Sequence, residues 1–485
     1  MSQGPRLRAR LAEIARQIGV LEAKIAVLRD EQQSVEADLE GLVYPILTLP
    51  NEITSEIFFQ YVDVEIGADP IQSPMYLTWV CRSWRDVAVS TPRLWINFQR
   101  HFVPFLPLWL SRTGNLPVTV QIISLLRPCH DAEFLETFSK YSSRCEKLDL
   151  RLDEPRPSLG LSGPFPRLET FRFNVYGDAT TPIPVLHDAP SLRQVHLGGV
   201  SFENWRTALP WAQLTKLVIY ATVFMCHEVV VCTPNLEHLQ LTSNHTGSRP
   251  ETFPPTPASL ARLRTLILDE FWSFEILRHL VIPDLKDLSF SLGENGEANV
   301  LKSLFKRSKC SPRHLSVDVM HADEAMITEF LERAPLQSIQ KLTLSGTSMV
   351  EDGLDSLFTR LSAKHEKMIL PSLKHLVLKG CGLAIDVPLL VDMLASRRPA
   401  QMPEGVEKIK SFGVTFCEEA RDPFASGADP RRIPQASIVN DALTQLHSLM
   451  SEGLGFNLEG PDWYSRHFDV SVVEEIYGLL TPSDS

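Results

Sequence analysis

One frame of apolar and polar positions, apolar-x-x-apolar-x-apolar, recurs through most of the chain. It stands at PRLETFRFN (166–174), PSLRQVHLG (190–198), AQLTKLVIY (212–220), PNLEHLQLT (234–242), ARLRTLILD (261–269), PDLKDLSFS (283–291) and PSLKHLVLK (371–379). The first six copies begin 24, 22, 22, 27 and 22 residues apart. Looser copies fall at CEKLDLRL (145–152), SPRHLSVD (311–318), SIQKLTLS (338–345) and KIKSFGVTF (408–416), and LPVTVQI (116–122) offers one more. The closing apolar-x-apolar pair of each copy predicts a short strand, because side chains alternate faces along a strand. Pro opens many of the copies, at a position where its missing N–H is tolerated. Units of this period cannot bury an apolar face alone and gain a core by stacking, so the pattern predicts a solenoid.

The frame and its spacing resemble the leucine-rich repeat. The resemblance implies a curved solenoid with parallel strands on the concave face and helices or irregular loops behind them. Alternation sends Asp149, Arg151, Arg172, Asn174, His196, Val218, Tyr220, Gln240, Thr242, Ile267, Asp269, Ser289, Ser291, Ser316, Asp318, Thr343, Ser345, Val377 and Lys379 to the concave face. Among these, Arg151, Arg172, His196, Val218, Tyr220, Gln240, Ile267, Asp269 and Asp318 are the candidate substrate contacts. The strip mixes charge signs around a partly apolar middle, which suits a polypeptide better than a phosphate or a membrane. A solvated sheet face without a ligand is the competing reading. The Asn or Cys familiar three residues after the last strand leucine occurs at Asn244 and Cys381, while Val200, Phe271 and Thr347 hold that place elsewhere. No asparagine ladder is expected. The longer gaps hold the amphipathic stretches DEAMITEFLERA (323–334) and EDGLDSLFTRLSAK (351–364), read as helices.

At the N-terminus the period changes. Leu7, Leu11, Ile14, Ile18, Leu21, Ile25, Leu28, Val35, Leu39 and Leu42 alternate four and three apart, with Gln32 in the remaining slot. This is a heptad pattern, with Leu11, Ile18, Ile25, Gln32 and Leu39 at position a and Ile14, Leu21, Leu28, Val35 and Leu42 at d. A helix of that length spans about 50 Å. In a parallel, in-register dimer Lys24 would meet Arg29 and Glu31 would meet Glu36, and both pairs repel. An antiparallel or heterotypic coiled-coil partner, or packing on the chain's own body, is favoured over a parallel homodimer.

Between heptads and repeats lie two short helical patterns. Leu49-Pro50 opens one, followed by Ile53, Ile57, Phe58 and Tyr61 at helical spacing. Ser73-Pro74 opens the other, whose face reads Leu77, Val80, Cys81, Trp84, Val87 and Ala88 before Pro92 stops it. Together they hold too few large residues for a private core, so part of the apolar face is expected to meet another chain. The order Leu49-Pro50, Glu52-Ile53, Ile57-Phe58, Val80-Cys81-x-x-Trp84-Arg85 and Pro92-x-Leu94-Trp95 resembles an F-box, and the heptad helix running into YPILTLPNEI is similar to fungal F-box proteins. That resemblance covers residues 44–98 and implies docking onto the Skp adaptor, and through it a cullin-RING ligase. It marks Leu49, Pro50, Ile53, Ile57, Val80, Trp84 and Trp95 as adaptor-contacting or adaptor-supporting. The loop between the helices is long, and Thr78-Trp79 stands where many F-boxes carry a polar or basic pair.

Composition narrows the rest. The 485 residues are 44% apolar and 22% charged with a net charge of −12, a globular balance that disfavours a general nucleic-acid binder. No run of apolar residues reaches transmembrane length, and the start is no signal peptide, so an intracellular protein of the cytoplasm or nucleus, without membrane attachment, is expected. The eight cysteines form no Cys-x-x-Cys or Cys/His ligand pattern and read as reduced thiols. No phosphate loop, nucleophile elbow, His-Glu-x-x-His or EF-hand loop occurs; His227-Glu228 comes nearest to a metal pair but has no second His. No cofactor, metal or catalytic residue is expected. The tail from 418 offers a helix with Val439, Leu443, Leu446 and Met450 on one face, read as a cap over the last repeat, followed by the aromatic GPDWYSRHF. The expected fold is thus α/β: heptad helix (1–43), all-α F-box (44–98), repeat solenoid (99–417), cap and tail (418–485). Its expected function is to present an unidentified protein substrate as the receptor of a Skp-cullin-F-box (SCF) E3 ubiquitin ligase. The alternative is an interaction scaffold without a ubiquitin-ligase role.

Overall fold

The structure, a computed structural model, describes residues 4–40, 45–63, 74–99, 105–123, 135, 138–156, 159–161, 163–177, 180–186, 188–243, 257–269, 271–293, 297–319, 322–346, 354–381, 386–398, 404–416 and 436–459. Asn244, Thr347, Ser73, Leu42, the side chains of Val439 and Leu443, and the aromatic segment 460–468 lie outside the described residues. Two compact units are present, Met1–Leu116 and Pro117–Ser485.

The first unit holds α1 (Gly4–Glu40), α2 (Asn51–Asp63), α3 (Pro74–Val80), α4 (Arg82–Ser90), a short strand β1 (Asn97–Gln99) and α5 (Leu106–Arg112). The pattern from Pro74 to Ala88 predicts one helix, but the structure divides it. Cys81 is extended (φ −156°, ψ 174°), and its Sγ accepts the backbone N–H of Trp84 at 3.5 Å, so it acts as the N-cap of α4. Arg85 Nε then donates to the Thr78 carbonyl (2.8 Å) across the break. The unit also runs past the expected boundary at residue 98. Buried Trp109 on α5 donates its indole N–H to the Trp95 carbonyl (2.6 Å) and packs edge-on against Trp95 and Phe98. The Arg112 guanidinium lies 4.3 Å above the Trp95 ring. The aromatic cluster needs α5, so the sequence between 99 and 116 belongs here and not with the repeats.

In the second unit the main strands are β2 (Val118–Ile123), β3 (Cys145–Leu152), β4 (Thr170–Val175), β5 (Gln194–Gly198), β6 (Lys216–Ala221) and β7 (His238–Ser243). Then come β8 (Ala258–Ser259), β9 (Thr265–Asp269), β10 (Leu280–Val281), β11 (Asp287–Ser291), β12 (His314–Asp318), β13 (Lys341–Ser345), β14 (His375–Cys381), β15 (Ser411–Phe416) and β16 (Gly455–Glu459). Apart from β8 and β10, which pair with each other, β2 to β16 form one parallel sheet in chain order. The register is constant: Leu148, Phe171, Val195, Leu217, Leu239, Leu266, Leu288, Leu315, Leu342, Leu376 and Phe412 stand side by side. All of them are buried. The chain is therefore a leucine-rich-repeat-like α/β stack with helices at its N-terminus. β16 was not expected as a strand; its frame is a single Phe456-x-Leu458 pair after a glycine, and it extends the sheet beyond β15.

β4 to β7, β9, β13 and β14 are each preceded by a tight turn that sends one leucine or isoleucine inward, as in Leu192 N–H to the Ala189 carbonyl (3.2 Å) and Leu236 N–H to that of Thr233 (3.4 Å). Beside that leucine a polar side chain reaches back one repeat. Ser191 Oγ donates to Pro166 O (2.7 Å), Gln213 Nε2 to Ala189 O (2.7 Å), Asn235 Nδ2 to Ala212 O (2.7 Å) and Ser338 Oγ to Pro312 O (2.8 Å). Gly199, in the left-handed region at φ +62°, follows β5 so closely against the preceding repeat that a Cβ would sit 2.0 Å from the Val175 carbonyl oxygen.

From β6 onward a second layer runs alongside. The helices Val223–Val231, Glu297–Ser308, Glu324–Arg333, Asp355–Leu361, Val387–Ser396 and Ala436–Ser451, with the 3-10 segment Phe271–His279 after the first, pack each on the next. Thr222, Asp323 and Asp386 cap three of them by accepting the N–H of Met225, Met326 and Leu389. On the last helix Leu446 and Leu449 are buried and Met450 is half-buried, so the inward face is turned slightly from the one the sequence suggests.

Two buried arginines bind the final repeats without a carboxylate. Arg397 donates from Nε to Leu361 O (2.7 Å) and from Nη2 to Ile369 O (2.9 Å) and Leu370 O (3.0 Å). Burial lowers its pKa to about 10. Arg398 donates to Ile409 O (2.8 Å) and Glu452 O (2.9 Å). Replacing Arg397→Ala strands three carbonyls in the interior and is expected to cost about 3 kcal/mol. A urea-unfolding series should show this as a lowered midpoint, whereas the exposed Arg264→Ala should move it by no more than about 0.5 kcal/mol.

Candidate functional site

Helix α2 sorts its apolar residues into two sets. Phe58 is buried against Trp84, ring centroids 4.9 Å apart, and Thr54 is buried with its hydroxyl on the Pro50 carbonyl (3.2 Å). Ile53, 51% exposed, and Ile57, one turn on, face solvent, and Leu49 and Pro50 at the start of the helix are exposed with them. The preceding Ile46 and Leu47 are exposed too. α3 contributes a second apolar group at its C-terminal end. Val80 is 60% exposed and Trp79 63%, the Trp79 ring standing edge-on to exposed Tyr76 at 5.1 Å. On the far side of α2 the Arg93 guanidinium covers the Phe59 ring at 3.9 Å. A small unit that leaves this many large apolar side chains in water carries the mark of a protein-contact surface.

The residues singled out in the sequence separate accordingly. Leu49, Pro50, Ile53, Ile57 and Val80 are exposed; Trp84 is half-buried against Phe58 and supports them from beneath. Trp95, at 0% exposure with its indole N–H on the Ala88 carbonyl (2.8 Å), lies in the core, which leaves it the supporting one of its two expected roles. Tyr76 and Trp79 were missed, because Trp79 falls off the helical face traced by Leu77 and Trp84.

On the sheet, the polar partners of the leucines form rows. Asp149, Arg172, His196, Val218, Gln240, Ile267, Ser289, Ser316, Thr343 and Val377 stand abreast in one row. Tyr220, Thr242 and Asp269 stand abreast in the next, which also carries Arg151 beside Asn174, and Asp318 beside Ser345. Asp149 accepts from Arg151 (3.1 Å) and Arg172 (3.2 Å), and Asp269 from Gln240 (2.6 Å) and Thr242 (3.0 Å). Tyr220 is exposed, and Val218 and Ile267 are half-buried on the same side as the polar residues. A third row at the strand entrances escaped the sequence reading: Lys147, Thr170, Gln194, Lys216, His238, Thr265, Asp287, His314, Lys341, His375. Its signal was in the frame itself, as Lys or His directly before the first strand leucine in six copies.

His196, His238 and His375 all have pKa values lowered first by burial, then by cations: Arg172 for the first, Lys216 for the second, Lys341 and Lys410 for the third. Among the described residues no three His, Cys, Asp or Glu are grouped to hold a metal, and no helix is long and apolar enough to cross a membrane.

No protein-family model and no curated protein matches the chain. Solved structures similar to it include a protein of Bacteroides fragilis, at 12% identity over 61% of this chain and 66% of that one, TM-score 0.29. The Rad7 and Elc1 complex in yeast matches at 12% identity over 82% and 95%, TM-score 0.33. The TLR13–ssRNA13 complex matches at 15% identity over 63% and 46%, TM-score 0.30. The chain spans less than two thirds of the first and less than half of the third. The fold is accordingly defined by its own strand register.

Two expectations follow. Trp95→Ala should lower stability by about 3–5 kcal/mol, whereas Ile53→Ser, Ile57→Ser and Val80→Ser should each stay within about 0.5 kcal/mol, read by chemical denaturation. The lowered histidine pKa values also set a pH dependence. The unfolded chain binds more protons than the folded one once pH falls through the ordinary value of 6.5, so stability drops between pH 7.5 and 5.5. The combined His196→Gln, His238→Gln and His375→Gln variant should flatten that slope.

Proposed function

We propose that this chain is the substrate-recognition subunit of a Skp-cullin-F-box ubiquitin ligase: residues 44–98 act as an F-box that docks a Skp-type adaptor, and the repeats hold a protein substrate. One observation carries the reading. Leu49, Ile53, Ile57 and Val80, which the F-box resemblance marks as adaptor-contacting or adaptor-supporting, lie exposed just before α2, along it and at the end of α3, with Tyr76 and Trp79 exposed as well, while Phe58 and Leu77 are buried. An unpaired apolar surface of this kind is stable in water at a cost that a partner removes by covering it. The repeats supply the second half. Val218, Ile267 and Tyr220 interrupt a polar sheet surface with apolar area, flanked by the anchored charges of Asp149 and Asp269, a pattern that fits a polypeptide segment. Ubiquitin transfer itself belongs to other subunits in this reading.

The test is co-purification of the full chain with a Skp adaptor, wild type beside an Ile53→Ser, Ile57→Ser, Val80→Ser variant whose circular dichroism is unchanged. The wild type should bind, and the variant should weaken binding by at least about tenfold. A wild type that does not bind leaves the repeats as an interaction scaffold outside the ubiquitin system.

A further inference from the structure

Every side chain described from Pro5 to Ala37 on α1 is exposed, the heptad apolar residues included, with Leu11 at 72%. The helix is 37 residues long, about 55 Å, and its a and d side chains from Leu11 to Val35 have no cover among the described residues. The charges beside that seam decide what covers it. Position e holds Arg8, Ala15, Glu22, Arg29 and Glu36, and position g holds Arg10, Gln17, Lys24, Glu31 and Asp38.

We propose that α1 pairs antiparallel with α1 of a second copy of this chain. In an antiparallel pair each a position packs beside a d position of the other helix, and the flanking contacts run g to g and e to e. One alignment sets Ile18 beside Val35 of the second copy, Leu21 beside its Gln32 and Ile25 beside its Leu28. The same alignment places Lys24 opposite Glu31 and Glu22 opposite Arg29, each contact occurring twice by symmetry. Every charged contact along the overlap is attractive. Sliding one heptad in one direction brings Lys24 onto Lys24 and Glu22 onto Glu22. Sliding it the other way brings Glu31 onto Glu31 and Arg29 onto Arg29. The parallel arrangement opposes Lys24 to Arg29 and Glu31 to Glu36. The charge pattern is self-complementary in one register and one direction.

Two further observations support the pairing. Glu13, Arg16 and Gln17 are already joined within the helix, whereas Glu22, Lys24, Arg29 and Glu31 have no ion pair in their own helix among the described residues. Gln32, the polar residue at an a position, donates its amide to Glu36 of the same helix (2.8 Å). It therefore does not need the second glutamine that only a parallel dimer would set opposite it.

Light scattering of the full chain across a dilution series tests this directly. The wild type should be a dimer. Lys24→Glu places like charges together twice in the antiparallel pair and should raise the dimer dissociation constant roughly tenfold, and adding Glu31→Lys should restore it. In a parallel dimer Lys24→Glu would instead meet Arg29 and tighten association, which would overturn the proposal. So would a wild type that is monomeric or larger than a dimer. Ile25→Asp in the seam should yield monomer with the repeats still folded by hydrogen exchange; a persisting dimer would place the interface elsewhere and sink the idea.

Discussion

The repeat unit depends on one constraint, the parallel register that sets each buried leucine beside the leucine of the next strand. A strand shifted by a single residue would turn its leucines to water and its polar residues into the interior. From β3 to β15 the rows stay aligned, and the surface rows inherit that order without any selection of their own. His196 is next to Arg172 because Leu197 must be next to Phe173. The polar sheet surface is in this sense the reverse side of the core, and its chemistry is written by the residues that alternate with the leucines.

The first unit is organised by scarcity. The largest side chains of its interior are Phe58, Trp95, Phe98 and Trp109, packed with leucines such as Leu94 and Leu110, and two indole hydrogen bonds anchor Trp95 to Ala88 and Trp109 to Trp95. α2 cannot bury both of its apolar edges at once. Phe58 goes inward, and Ile53 and Ile57 are left out. An unfinished core thus becomes a surface with a defined shape, held in place by the finished half beneath it.

Much of this was legible in the sequence, and the failures have physical reasons. The strands announced themselves because alternation and a common spacing repeat many times over, so errors at one copy are corrected by its neighbours. β16 has the shortest frame and no repeat beyond it to set the period, and it was missed. The break at Cys81 was invisible because the apolar spacing continues through it; only a thiol serving as a cap distinguishes it from helix. Whether Trp95 would contact or support was open in the sequence, because the motif fixes its place and not its burial; its indole N–H bond to the Ala88 carbonyl puts it in the interior. The polar links from Ser191, Gln213, Asn235 and Ser338 leave no mark in the pattern, because they lie in the turn before the strand and end on backbone carbonyls, which no side chain betrays.

Those backward-reaching links have a consequence for how such a chain changes over generations. Each is made to a backbone carbonyl, a group every residue carries, and never to a particular side chain in the preceding repeat. A copied or deleted repeat would find the same acceptor waiting at its new border. Gene duplication can therefore lengthen or shorten the stack without a matching substitution at these four links, leaving the outward rows free to differ from one repeat to the next.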